Sequence, residues 1–107
     1  MSLDVFLLAY GKAEIFSANI THNLAKMASE AGIYYALWRP EEIGLDKAGL
    51  LIGPLSAGLS KLKGNPDKYE SLNPENGWGS YIGLVEVVEK YLAACIEFPE
   101  ATIRVWR

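Results

Sequence analysis

Strand-like apolar segments stand at the two ends of this chain, and apolar residues at helical spacing stand between them. This order restricts the fold more than any other feature of the sequence. The first and last segments, Leu3–Tyr10 and Thr102–Trp106, carry the apolar, β-branched and aromatic residues that favour strands. Between them, apolar residues recur at helical spacing in three long segments. A chain of 107 residues has room for one domain. We therefore expect a single α+β domain over residues 1–107, in which helices pack on a small sheet.

The strands at the start of the chain predict a hairpin. Gly11 and Lys12 separate the first apolar run from Ala13–Ser17, and a glycine at the first position of a two-residue loop is typical of a type II′ turn. The first strand is apolar on both faces, which favours a central position, whereas the mixed second strand suits an edge. The expected sheet is three-stranded and mainly antiparallel, with the first strand in the middle and the helices on one face.

Three main helices are predicted at Asn19–Gly32, Asp46–Lys63 and Ser80–Phe98, in the order β-β-α-α-α-β. Asn19 or Thr21 is expected to cap the first helix, because a short side-chain oxygen can accept a hydrogen bond from an unpaired amide there. Shorter helical turns are predicted at Ile33–Trp38 and at Pro66–Ser71, where proline suits the first helical position.

The third main helix is expected to bury one apolar stripe, which consists of Ile82, Val85, Val88, Leu92, Cys95 and Ile96. Cys95 is the only cysteine, so it cannot form an internal disulfide, and its place on the stripe predicts an inert core thiol. The second helix contains Gly49, Gly53 and Gly58, which weaken it and can also let another element pack closely.

Charge and composition exclude several classes of function. A chain with a net charge of −3 is not basic enough to mark a nucleic-acid binder, so no such partner is expected. His22 is the only histidine, which rules out a histidine-rich metal site, and neither a metal nor a cofactor is expected. The apolar run Val5–Tyr10 is shorter than the roughly 20 residues that cross a bilayer. We therefore expect no membrane association and a cytoplasmic location.

No known catalytic signature is present. The chain lacks a glycine-rich phosphate loop, a nucleophile elbow, a His-Glu-x-x-His motif and a Cys-x-x-Cys motif. A non-enzymatic function is therefore favoured. An enzyme that uses His22 as its general base, with a nearby carboxylate as partner, is a third alternative.

The segment Asn19–Asn23 places four polar side chains at the expected junction of strand and helix. A helix N-terminus offers free amides and the positive end of the helix dipole, which suits an anion. His22 can add a hydrogen-bond donor or a base. Asn19, Thr21 and Asn23 are equally ordinary capping residues. The segment thus indicates either an anion site or a plain helix cap.

A second polar segment follows Trp38. Arg39 stands beside this tryptophan and before Pro40, Glu41 and Glu42. An arginine next to an indole can stack on it, or can clamp a carboxylate or phosphate. The two glutamates also suit the first turn of a helix, where they complement the dipole. Both a ligand clamp and a structural turn remain open.

A third polar segment, Asn73–Trp78, is a loop by composition. Loops carry binding residues more often than core elements do, so Asn73, Asn76 and Trp78 are candidates for a site. The alternative is a turn in which Asn76 and Gly77 make the bend and Trp78 pins the loop to the core.

Three segments together resemble a family of small uncharacterised proteins from phage, prophage and bacterial genomes. They read Asn-Ile-Thr-His-Asn at 19–23, Ala-Leu-Trp-Arg-Pro-Glu-Glu at 36–42 and Asn-Pro-Glu-Asn-Gly-Trp-Gly at 73–79. The resemblance extends from about Ile15 to the end of the chain, and the opening strand matches least. It implies a phage-associated setting and an accessory function, and it assigns no catalytic residue.

Two functional hypotheses follow. In the first, the chain binds a small polar or anionic ligand, such as a nucleotide, in a pocket with aromatic walls and a few directed polar groups. The expected lining consists of Asn19, Thr21, His22, Asn23, Trp38, Arg39, Asn73, Asn76 and Trp78. In the second, the chain is a protein-interaction module, either a homodimer or an adaptor, without a small ligand. Its aromatic content and the exposed edges of a three-stranded sheet favour this alternative.

Overall fold

The sheet has the expected strand order. A computed structural model describes residues 1–107 and contains β1 (Ser2–Ala9), β2 (Ala13–Thr21) and β3 (Thr102–Trp106). β1 lies in the middle and pairs antiparallel with both neighbours. The α+β class, the central position of the first strand and the edge position of the second are therefore confirmed.

Five α-helices and two 3₁₀ turns connect β2 to β3. The helices are α1 (Ala25–Glu30), α2 (Tyr34–Trp38), α3 (Ala48–Gly64), α4 (Pro66–Glu70) and α5 (Tyr81–Glu97), and the 3₁₀ turns are His22–Leu24 and Pro40–Ile43. The long helices α3 and α5 pack against each other, and α5 also contacts β2. Leu3, Val5 and Leu7 of β1 are fully buried on the face that meets the helices. None of the helices combines the length and apolar content needed to cross a bilayer.

The first predicted helix begins later than expected. Asn19–Thr21 continues β2, and Ile20 lies opposite Leu3 in the antiparallel pair. α1 starts only at Ala25. The predicted start is wrong, because Ile20 and Leu24 have helical spacing but Ile20 is buried against β1 instead. This long-range pairing outweighs the local pattern.

The hairpin turn also differs from the prediction. Tyr10 and Gly11 occupy its centre, with φ angles of 53° and 70°. The Lys12 N–H donates to the Ala9 carbonyl at 3.0 Å and closes the turn. Two positive φ angles are typical of type I′, so the predicted type II′ turn is wrong. The chain turns one residue earlier than expected, which leaves the Tyr10 side chain exposed.

The buried face of α5 is rotated from the predicted stripe. It consists of Tyr81, Leu84, Val88, Tyr91, Ala94 and Cys95. Ile82 and Ile96 are instead 64% and 59% exposed. Because α5 carries apolar residues on more than one side, their spacing does not determine which side meets the sheet. Cys95 is buried as predicted, and burial raises the pKa of its thiol to about 12, which keeps it protonated and inert at neutral pH.

Close packing at a glycine of the second predicted helix is confirmed at Gly58. Ile33, which precedes α2, lies so near that a Cβ at Gly58 would overlap its Cγ2 atom. Gly49 lies near Pro99, whose carbonyl would be 3.2 Å from an added Cβ. An added Cβ at Gly53 would meet nothing within 4 Å. Only part of the glycine pattern in α3 therefore serves close packing.

Candidate functional site

An open recess of about 470 Å³ brings together Asn19, Thr21, Asn23 and Trp78 from the predicted site. It lies at the end of the β1–β2 pair, where the loop before α5 passes the sheet. Trp78 is 70% exposed. Two of the three polar segments therefore meet at this recess, although they are far apart in sequence.

The polar groups of this recess are largely engaged within the chain. The Asn19 amide nitrogen donates to Ser2 Oγ at 2.7 Å and to Asp4 Oδ1 at 2.8 Å. Thr21 Oγ1 accepts from the Asn23 N–H at 3.3 Å, so it caps the 3₁₀ turn rather than a long helix. α1 is six residues long and has no side-chain cap. The segment Asn19–Asn23 therefore does not lie at the N-terminus of α1, where the predicted anion site was expected.

His22 and Trp38 form a structural pair rather than part of the recess. The Trp38 indole N–H donates to His22 Nδ1 at 2.9 Å, which requires the imidazole tautomer with its proton on Nε2. Trp38 is 2% exposed and stacks on Tyr34, with the ring centroids 5.4 Å apart. This hydrogen bond satisfies a buried indole donor, and it engages the nitrogen that a general base would need.

Arg39 lies outside the recess and already has partners. Its guanidinium donates to Glu42 Oε2 at 2.7 Å and to the Tyr34 hydroxyl at 3.2 Å. The hydrogen bond with Glu42 and the one with Tyr34 raise the pKa of Arg39 above its usual value. Glu41 pairs with Arg107 at 2.7 Å. The second polar segment is thus an ion-paired turn, and the recess receives no arginine from it.

Asn73 and Asn76 shape the loop before α5. Asn73 Oδ1 accepts from the Tyr81 N–H at 2.7 Å, and Asn76 Oδ1 accepts from the Trp78 N–H at 2.9 Å. Gly77, with φ of 76°, completes the predicted bend. Trp78 is exposed, so the alternative in which it pins the loop to the core is wrong. Gly79 makes the close contact instead, since a Cβ there would lie 2.7 Å from Cγ2 of Thr21.

The outer edge of β2 is a second candidate site. The His22 N–H donates towards β1, to the Met1 carbonyl at 3.3 Å. Hydrogen-bonded pairs alternate along an antiparallel ladder, so the main-chain groups of Ser17, Asn19 and Thr21 point away from β1. Nothing in the chain bonds to these outward groups, since no turn or loop hydrogen bond reaches residues 13–21.

A groove of about 290 Å³ runs between this edge and α5. Ile20 and Thr21 form its strand side, and Gly83, Leu84 and Val87 form its helix side. Gly83 widens the groove, because it has no side chain there. The groove is therefore apolar on the side of the sheet that carries the helices.

Sequence reasoning anticipated exposed strand edges but not this edge in particular. The available signal is the uncharged, proline-free run Ile15–Thr21, which is unusual for an edge strand.

Comparisons with protein-family models, with curated proteins and with solved structures give no match. No group of three or more His, Cys, Asp or Glu side chains is placed to hold a metal ion. The recess and the β2 edge are therefore the two features of the molecule that point to a function.

Proposed function

We propose that the chain is a cytoplasmic, non-enzymatic interaction module that accepts an extended strand on the outer edge of β2. The observation that carries this proposal is the row of unpartnered main-chain groups at Ser17, Asn19 and Thr21. Such an edge pairs readily with another chain unless it is blunted by charge, proline or a bulge. The register shift of β2 lies near Glu14, and from Phe16 to Thr21 the strand carries no charge, proline or bulge.

The groove beside α5 defines the strand that would fit. Side chains alternate across an added strand, so every second one would enter the apolar groove next to Ile20 and Val87. The intervening side chains would lie beside Ser17 and Asn19, on the face of the sheet that points away from the helices (the open face). The expected partner segment is therefore extended, with apolar residues at alternate positions. The phage-associated setting implied by the three polar segments is compatible with such an accessory module.

Substituting Ser17 with proline tests this proposal. Because the Ser17 N–H points away from β1, the Ser17→Pro substitution removes one outward donor and leaves the β1–β2 ladder in place. The protein is immobilised sparsely and a displayed library of random peptides is selected on it. We expect enriched peptides with alternating apolar residues, and at least about tenfold weaker binding to Ser17→Pro.

The matched control is Ser17→Ala, which keeps the N–H and is expected to bind the selected peptides as wild type does. Thermal unfolding of both variants verifies that they fold. Failure to enrich any alternating peptide, or equal binding by Ser17→Pro and Ser17→Ala, would contradict strand addition at β2.

The recess at Trp78 favours a second candidate function, the binding of a small polar molecule. Its volume of about 470 Å³ lies within the range of ligand pockets, and its polar lining adjoins an exposed indole. Nucleosides and small sugars are titrated while tryptophan fluorescence is recorded. This candidate predicts a saturable change that disappears in Trp78→Phe. A panel that leaves the fluorescence unchanged removes the candidate.

A further inference from the structure

We infer that the strand accepted by β2 is the β2 strand of a second copy, antiparallel to the first, with the twofold axis at Ala18. The two sheets then form one continuous sheet with the helices of both copies on the same side. This inference rests on the proposed function, since it names the partner for the same edge.

The sequence of β2 is self-complementary about Ala18. On the open face, outward-bonding Ser17 lies opposite Asn19 of the second copy, which pairs two polar side chains. On the face that carries the helices, Phe16 lies opposite Ile20 of the second copy, and the small Ala18 meets its own equivalent at the axis. Aromatic–aliphatic and polar–polar neighbours are favourable pairs across antiparallel strands.

Neighbouring registers match less well. The hydrogen-bonded pairs must join outward-pointing residues, so the axis passes through a residue, and the nearest alternative centres are Ser17 and Asn19. Centring on Ser17 pairs Phe16 with Ala18, and centring on Asn19 pairs Ile20 with Ala18. Each alternative places a large apolar side chain opposite a methyl group, whereas the register at Ala18 pairs the two large ones with each other.

The charges on α5 are also complementary about this axis. Phe16 stacks on Tyr91 with the centroids 5.6 Å apart, and Ile20 lines the groove with Val87, so α5 runs alongside β2 with Val87 near the level of Ala18. The twofold operation therefore brings exposed Glu86 of one copy to about the level of exposed Lys90 of the other along the two helices. The ion pairs within the chain involve neither residue. Gly83 and Val87 are small enough to let the two helices approach.

Sedimentation velocity from micromolar to millimolar concentration tests the inference. Wild type is expected to dimerise and Ser17→Pro to stay monomeric over the same range. Glu86→Lys and Lys90→Glu, each of which opposes like charges, are expected to weaken the dimer at least about tenfold. The double variant Glu86→Lys/Lys90→Glu restores opposite charges and is expected to dimerise like wild type.

The matched control is Glu89→Lys, which makes the same charge change on the side of α5 that pairs with Lys63 of α3, and it is expected to leave the dimer intact. A wild-type monomer at millimolar concentration overturns the second-copy inference, and peptide binding at the β2 edge in the same protein shows that strand addition itself stands. A dimer that is indifferent to Ser17→Pro, or a double variant that fails to recover, also overturns the inference.

Discussion

Replacing Trp38 with alanine is expected to lower the free energy of unfolding by about 3–5 kcal/mol, as aromatic-to-alanine changes in cores do. The indole is 2% exposed, stacks on Tyr34 and donates to His22. The substitution opens a large cavity and removes both contacts. A domain is stable by only about 5–15 kcal/mol, so this loss takes a large share of the total.

Trp78→Ala is the matched control for this prediction. Trp78 is 70% exposed, and its loss is expected to change the free energy of unfolding by less than about 0.5 kcal/mol. Urea denaturation followed by far-UV circular dichroism measures both variants. Similar losses for Trp38→Ala and Trp78→Ala would contradict the assignment of one tryptophan to the core and the other to the surface.

Gly58→Ala is expected to destabilise the protein by about 1–3 kcal/mol, although alanine is the better helix former. The added Cβ would overlap Cγ2 of Ile33, which is only 1% exposed, so either Ile33 or the helix must shift. Gly64→Ala, at the end of the same helix, is the control. An added Cβ there meets nothing within 4 Å, and the substitution is expected to stabilise the protein by up to about 1 kcal/mol.

A double-mutant cycle with Ile33→Ala isolates this contact. Ile33→Ala leaves a cavity that the methyl group introduced by Gly58→Ala can partly fill. The double variant is therefore expected to lose less stability than the sum of the two single variants. Equilibrium urea unfolding of the four proteins gives the coupling energy. Additive losses would contradict a direct clash between the two positions.

The sequence predicts those parts of the fold whose patterns are long and local. α3 and α5 carry many apolar residues at helical spacing, and β3 is an alternating run that follows Pro99. The segment Asn19–Thr21 could not be assigned in this way. Its pattern fits a strand and a helix start equally, and only its pairing with β1 decides between them.

The candidate site was predicted only in part, and the reason for this is similar. Residue type identifies side chains that can bind, but it does not show which of them the fold will use for itself. Trp38 is needed in the core and Arg39 pairs with Glu42, whereas Asn19 and Trp78 meet at the recess. The direction of a main-chain N–H depends on strand pairing, so the free groups of β2 appear only in the folded chain.

Amide hydrogen exchange resolved by residue tests strand addition at β2 most directly. Exchange is measured by NMR in dilute protein, in concentrated protein and with an excess of a peptide enriched in the library selection. The outward amides of Ser17, Asn19 and Thr21 are expected to exchange rapidly when dilute and to become protected when a strand is added. Those of Ala18 and Ile20, which bond to β1, are expected to stay protected throughout. Rapid exchange of the outward amides under all three conditions would contradict the proposal.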